Sequence, residues 1–160
     1  MADWVRTYID KIDTLLKADL DTEIAAIDAN LGLIPDNQIF KSRQSFTQKH
    51  PLVHQYPMGQ SSFENLINHN TEIRWQHYTG VRVKSKSVPE SDGNLVYAYV
   101  EAVLKAIYKG NGASGKLDSI ACYSEPLEWV NGSPEFDDDG FYIVEGGIVW
   151  AITIAYNLVE

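Results

Sequence analysis

TEIRWQHYTGVRVKSKSV, residues 71–88, is the stretch whose reading decides the fold. Taken in twos, Ile73, Trp75, His77, Thr79, Val81 and Val83 fall on one side. Glu72, Arg74, Gln76, Tyr78, Gly80, Arg82, Lys84 and Lys86 fall on the other. Successive side chains of a β-strand point to opposite faces, so unbroken parity predicts one long strand with a dry face and a wet, basic face. Strands usually run about 5–6 residues, so this one is expected to reach past its own domain.

Upstream, Trp4, Val5, Tyr8, Ile9, Ile12, Leu15 and Leu16 recur at spacings of three and four, and Leu20, Ile24, Ile27 and Leu31 continue the stripe. This predicts an amphipathic helix over 2–31, covering its own sheet. Asp3 suits an N-cap or first-turn acid, 19–22 offers a break where a second helix could start, and Gly32 suits the C′ position before Pro35. HPLVHQYP, 50–57, is a short apolar run between prolines and reads as an edge or short strand. MGQSSFENLINHN, 58–70, reads as a long connection or a short helix at 63–67; a connection of that length is commonly functional or flexible.

Downstream, Ser91 or Asp92 is placed to cap a helix in NLVYAYVEAVLKAIYKG. Leu95, Val96, Tyr99, Val100, Val103, Leu104, Ile107 and Tyr108 form its stripe, Glu101 and Lys105 pair at i,i+4, and Gly110 stops it. Residues 117–123 and 127–130 read as short strands around Pro126, and 131–141 as an acidic turn. Residues 141–158 form a second long strand, apolar on both faces late in its course and therefore central in the sheet. Gly146 and Gly147 offer a bulge or bend there. The order predicts a single α+β domain over 1–160: a mostly antiparallel sheet with a long hairpin-like strand, packed by an N-terminal and a central helix.

Charge is uneven. The net charge is −9, yet 37–89 holds seven Lys and Arg (Lys41, Arg43, Lys49, Arg74, Arg82, Lys84, Lys86) against Glu64 and Glu72. From 117 onward there are nine Asp and Glu and no Lys or Arg. Such a split points to contact between copies or to a polarised surface. Overall acidity opposes tight nonspecific binding of nucleic acid. A lone Cys122 forms no internal disulfide and fits a reducing compartment. The N-terminus lacks the apolar core of a signal peptide, and GGIVWAITIAYNLV is short for a membrane helix and rich in β-branched residues, so a soluble protein without membrane contact is expected.

No residue pattern points to catalysis, a metal or a cofactor. His50 and His54 are four apart, but Pro51 and Pro57 oppose a helix there; His69 and His77 lack a partnering acidic motif, and HExxH is absent. Asp137-Asp138-Asp139-Gly140 lacks the alternation and twelfth-position Glu of a calcium loop and reads as a turn. GNGASG, 110–115, follows a helix and lacks the Lys-Ser/Thr of a phosphate loop. Cys122 reads as a buried, inert thiol, and GxSxG does not occur. Trp75, His77 and Tyr78 beside Arg74, Arg82 and Lys84 could grip single-stranded nucleic acid, but parity leaves only Tyr78 with the cations. A nucleic-acid-binding module using the basic face of 71–88 is the alternative reading.

DWVRTYIDKIDTLL, the PLVHQYP strand, EIRWQHYTGVRVKSKS, DGNLVYAYVEAVLKAIYK and the closing strands make a layout that resembles the small neck and tail proteins of tailed bacteriophages, the tail terminators and head–tail joining (tail completion) proteins. The resemblance is one of element order and texture over most of the chain, and HPLVHQYP and 36–50 depart from it most. It implies a non-enzymatic virion protein, made in the host cytoplasm, that forms a ring, commonly a hexamer, at the head–tail junction or the head-proximal end of the tail. Its partners would be its own copies, other neck or tail-tube proteins, and genomic DNA passing without specific binding. On that reading Arg74, Arg82, Lys84 and Lys86 face Asp137, Asp138 and Asp139 of a neighbouring copy. Over-long strands would add to the neighbour's sheet. Exchanging Arg82 and Lys84 for Glu should then leave the monomer folded and impair assembly.

Overall fold

Alternation in 73–83 becomes the middle of a sheet. The computed structural model describes residues 2–45, 49–65, 70–85, 89–111, 122–132 and 134–157. The elements are α1 (Ala2–Ile27), a 3-10 turn at Asp36–Gln38, β1 (Ile39–Phe40), β2 (Leu52–Asn65), β3 (Asn70–Ser85), α2 (Pro89–Asn111), β4 (Cys122–Asn131), β5 (Glu135–Phe136) and β6 (Tyr142–Asn157). The sheet runs β1-β2-β3-β6-β4, with β5 also on β6, and every pairing but β1–β2 is antiparallel. The architecture is α+β, and β6 is central, as its two apolar faces predict.

Both helices lie on one face. Tyr8, Ile12, Leu16, Leu20 and Ile24 recur every fourth residue of α1 and are fully buried, as are Val100, Val103 and Ile107 of α2. They close over Ile73, Trp75, Val81 and Val83 of β3 and Ile148, Trp150, Ile152 and Ile154 of β6. His77 sits in this core. Gln55 Nε2 donates to the carbonyl of Ile9 (3.0 Å), so Gln55 Oε1 accepts from His77 Nε2 (2.9 Å) and α1 is tied to two strands. Burial pushes the His77 imidazole down to about 3. The Tyr8 ring stands edge-on to Trp75 and His77, and its hydroxyl meets Ser124 at 3.0 Å. Among the described residues no helix is long and apolar enough to cross a membrane.

The long strand does not reach past its own sheet. β3 spans 16 residues, and every one pairs with β6, from Asn70↔Asn157 to Ser85↔Tyr142. On its other side Thr71 to Arg82 pair with Asn65 to Leu52 of β2. β6 matches it residue for residue and β2 covers all but Asn70 and Val83 to Ser85 on the other side, so little of its backbone is left to add to another copy. Residues 86–88, with Lys86, lie outside the described residues.

Other expectations change for local reasons. α1 runs unbroken through 19–22 because Leu20 and Ile24 carry its stripe across. It ends at Ile27, well before Gly32: the Asp28 carboxylate accepts the Asn30 amide (2.9 Å), a turn that competes with further helix. α2 starts at Pro89, whose fixed φ and missing N–H suit the first helical position, so Ser91 and Asp92 lie inside the first turn. Residues 58–65 are the second half of β2 and not a connection or helix; a bulge at Gly59 (φ 59°) precedes the pairing of Ser61 with Trp75. Residues 66–69 lie outside the description. The two strands expected around Pro126 are one, β4, with a register shift between Pro126 and Glu128, while 117–121 lie outside the described residues. Gly146 and Gly147 make no bulge, since the β3–β6 register passes them unbroken.

Candidate functional site

The face of the sheet away from the helices was expected to be wet along all of β3. At its centre it is dry: Arg82 is 3% exposed and Tyr78 5%. Glu145, the direct β6 partner of Arg82 in the register, is the reason. Its Oε1 accepts from Arg82 Nε at 3.1 Å and lies 3.0 Å from Nη2, while Oε2 accepts from the Tyr78 hydroxyl at 3.1 Å. His54 Nε2 lies 2.8 Å from the same Oε1. His54 Nδ1 accepts the Gln44 amide (3.1 Å), which places the proton of the neutral ring on Nε2, facing the carboxylate.

Residues 41–45 cross this cluster as a strap. Arg82 Nη1 donates to the carbonyls of Gln44 (3.2 Å) and Ser45 (2.8 Å), and the Arg43 guanidinium lies 5.9 Å from the centre of the Tyr56 ring. Tyr56 in turn leans on Tyr78 at 5.1 Å. Glycines make the room: a Cβ at Gly80 or Gly147 would fall 2.5 Å from atoms of the Tyr78 side chain. A Cβ at Gly146 would meet Val96 of α2 on the opposite face at the same distance.

Electrostatics fix the protonation states. Burial pushes the Glu145 carboxyl up, but His54, Arg82 and Tyr78 outweigh it and hold the group below its ordinary value. Burial and Glu145 raise the Tyr78 phenol well above its ordinary range. His50 is lowered to about 4, by burial first and then by Arg82 and Lys84. An ionised carboxylate surrounded by donors has little basicity left for proton transfer. What the cluster does is hold the strap to three strands.

The residues singled out in the sequence are dispersed. Arg82 is buried on Glu145, so it is not on the surface where contact with another copy was expected. Lys84 Nζ lies 2.7 Å from Asp137 Oδ2, so this basic–acidic pair forms within one chain. Asp138 and Asp139 are exposed in the turn between β5 and β6, where Asp137 Oδ1 accepts the amides of Asp139 (3.1 Å) and Phe141 (2.8 Å) and Gly140 takes φ 84°. Arg74 is exposed on β3. In the sequence His54 and Tyr78 are weighed only for a metal and for stacking on nucleic acid, and Glu145 not at all; the signal available was a glycine on β3 and a glycine pair on β6, the space a large neighbouring side chain needs. Among the described residues no group of three or more His, Cys, Asp or Glu is placed to hold a metal ion.

Among the described residues the two edges of the sheet are unpaired along most of their length. β1 covers only Val53 and His54 of β2, and β4 is the last strand on its side. Each free edge carries a proline followed by a bulge, Pro57 with Gly59 on β2 and Pro126 with its register shift on β4. Prolines lack an amide donor and bulges twist an edge away, which discourages strand addition. Leu127, Trp129 and Phe136 are 52, 38 and 67% exposed at the β4–β5 end, beside a groove of about 190 Å³ between α2 and β4. No family model matches the chain, and no curated protein matches it.

Proposed function

We propose that the chain is a structural protein of the tailed-phage virion, a ring-forming connector at the head–tail junction or the head-proximal end of the tail. The observation that carries this reading is the element order: an opening helix, a long antiparallel pair, a central helix and closing strands, with both helices on one face. That is the order on which the resemblance to neck and tail proteins rests. Long strands paired over most of their length and a strap pinned by a buried ion cluster make a stiff plate, suited to a ring that holds its shape under tension. A net charge of −9 suits a conduit along which DNA slides without being gripped.

Native mass spectrometry and negative-stain imaging of the purified chain, alone and with the neck and tail-tube proteins of the same virion, test the reading. Rings are expected. A strict monomer at high concentration with those partners present refutes it. The nucleic-acid alternative has less to stand on, because Arg82 and Tyr78 are buried and Lys84 is paired with Asp137. A salt titration of oligonucleotide binding decides it, with no binding at low salt expected.

A further inference from the structure

Opposite ends of the sheet carry opposite chemistry. At the β4–β5 end, Leu127, Trp129 and Phe136 stand exposed, and Glu125, Glu128 and Glu135 are exposed with no cation paired to them among the described residues. The Trp129 ring leans on Tyr97 of α2 at 5.5 Å, tilted by 52°, and its Nε1 donates to Asn131 (3.0 Å), so the indole is held in place. At the β1–β2 end, Met58 is 37% exposed, and Arg43 and Lys49 are exposed with no carboxylate paired to them among the described residues. By register the glutamates lie on the face away from the helices and Trp129 on the helix side, so the edge itself presents an ordered aromatic beside acids; tryptophan and arginine carry much of the energy of an interface centre.

Resting on the ring reading above, we propose that the β4–β5 end of one copy docks against the β1–β2 end of a second copy. Arg43 and Lys49 answer the glutamates, and Leu127 and Trp129 close the contact on the helix side of the same edge. Charge complementarity names the occupant: the unpaired acids and unpaired cations belong to the same chain, at the two ends of one sheet. Each copy then offers one surface of each kind, a heterologous contact that closes into a ring when its rotation closes. Side chains carry the contact and backbone pairing does not, because both edges are blunted by a proline and a bulge. The acid–base pairs steer the encounter and set its register, so association weakens with salt.

The test reverses each end separately. One variant carries Glu125→Lys and Glu128→Lys, a second carries Arg43→Glu and Lys49→Glu, and a third carries all four. Lys49→Glu alone guards against a fold effect of losing Arg43 from the Tyr56 ring. Circular dichroism checks the fold, and sedimentation velocity follows self-association at low and high salt, in whichever preparation assembles, the chain alone or with its virion partners. Each single-end reversal should weaken association by roughly tenfold or more, and the four-fold variant should recover most of it. Trp129→Ala should weaken it by roughly tenfold or more as well. Assembly that ignores both reversals, or a four-fold variant no better than the two-fold ones, overturns the docking and leaves the ring reading to another surface. A chain monomeric under every condition overturns both.

Discussion

Replacing Gly147 with alanine measures how tightly Tyr78 is slotted over the sheet. A Cβ at Gly147 falls 2.5 Å from Tyr78 Oη and 2.6 Å from Cε2 and Cζ. Non-bonded carbons rest at about 3.5–4.0 Å, so the ring must retreat by about 1 Å. Gly80 beneath it, Tyr56 at 5.1 Å and His54 at 6.0 Å box it in. The way out is to swing outward and release the bond to Glu145. Tolerating the overlap costs about 1–3 kcal/mol, and leaving the carboxylate costs about 1.5–3 kcal/mol. These are alternatives, so they do not add. Alanine in a strand returns about 0.5–1 kcal/mol relative to glycine. The net loss is about 1 kcal/mol, which lowers the urea midpoint by about 0.5 M at a typical m-value. In a Tyr78→Leu background the clashing atoms are gone, and the same substitution should be neutral or stabilising by about 0.5 kcal/mol. Trp75 and Trp150 are buried and report unfolding by fluorescence. A penalty of equal size in both backgrounds, or none in either, refutes the slot.

Stability should also fall as pH drops below about 6.5, the ordinary imidazole value, because the unfolded chain takes up a proton that buried His77 refuses until about pH 3. The loss is about 2 kcal/mol by pH 5, and thermal melts of His77→Phe should show a flatter pH dependence; an unchanged slope rejects the assignment. Glu145, held below its ordinary value, adds stability that is full above the carboxylate range and is lost as pH falls through the lowered value, so Glu145→Gln should shrink the acid limb of the same curve. Arg82→Glu sets a second carboxylate against Glu145 in a buried site and should cost about 3–5 kcal/mol. It should also open residues 41–45 to protease, read by mass mapping of limited digests, whereas Lys84→Glu should do neither. Equal effects of the two substitutions would contradict the buried geometry of Arg82.

The dry face of β3 was legible because a whole helix layer covers it, so Ile73, Trp75, Val81 and Val83 recur at alternate positions, with only His77 and Thr79 polar between them. The opposite face misled, because alternation reports side-chain polarity and not exposure. Arg82 and Tyr78 read as wet, but their burial comes from Glu145, the strap, Gly147 and the adjacent Gly80, most of them distant in sequence. β2 hid for a related reason. Beyond Met58 it has no apolar rhythm, and it is a strand because β3 offers it a hydrogen-bonding partner, a context a local pattern does not contain. Gly146 and Gly147 were noticed for their backbone freedom, whereas their use is the missing side chain. The charge split was legible, but its first consequence is internal: Arg82 with Glu145 and Lys84 with Asp137 meet inside one protomer, leaving other charges at the sheet's ends.

Placing β6 between β3 and β4 also fixes an order of events. β3 and β4 touch no common strand until β6 arrives, and β6 is the last of the six to leave the ribosome. Before then the nascent chain can hold a β2–β3 hairpin under its helices, while β4 has no strand to lie against. The closing step joins residues far apart in sequence, Asn70 with Asn157 at one end and Ser85 with Tyr142 at the other. Non-local closure of this kind is slow, and the waiting edge of β3 is the sort of surface chaperones guard. Completion of the sheet thus waits on β6, the strand that joins β4 to the β2–β3 pair.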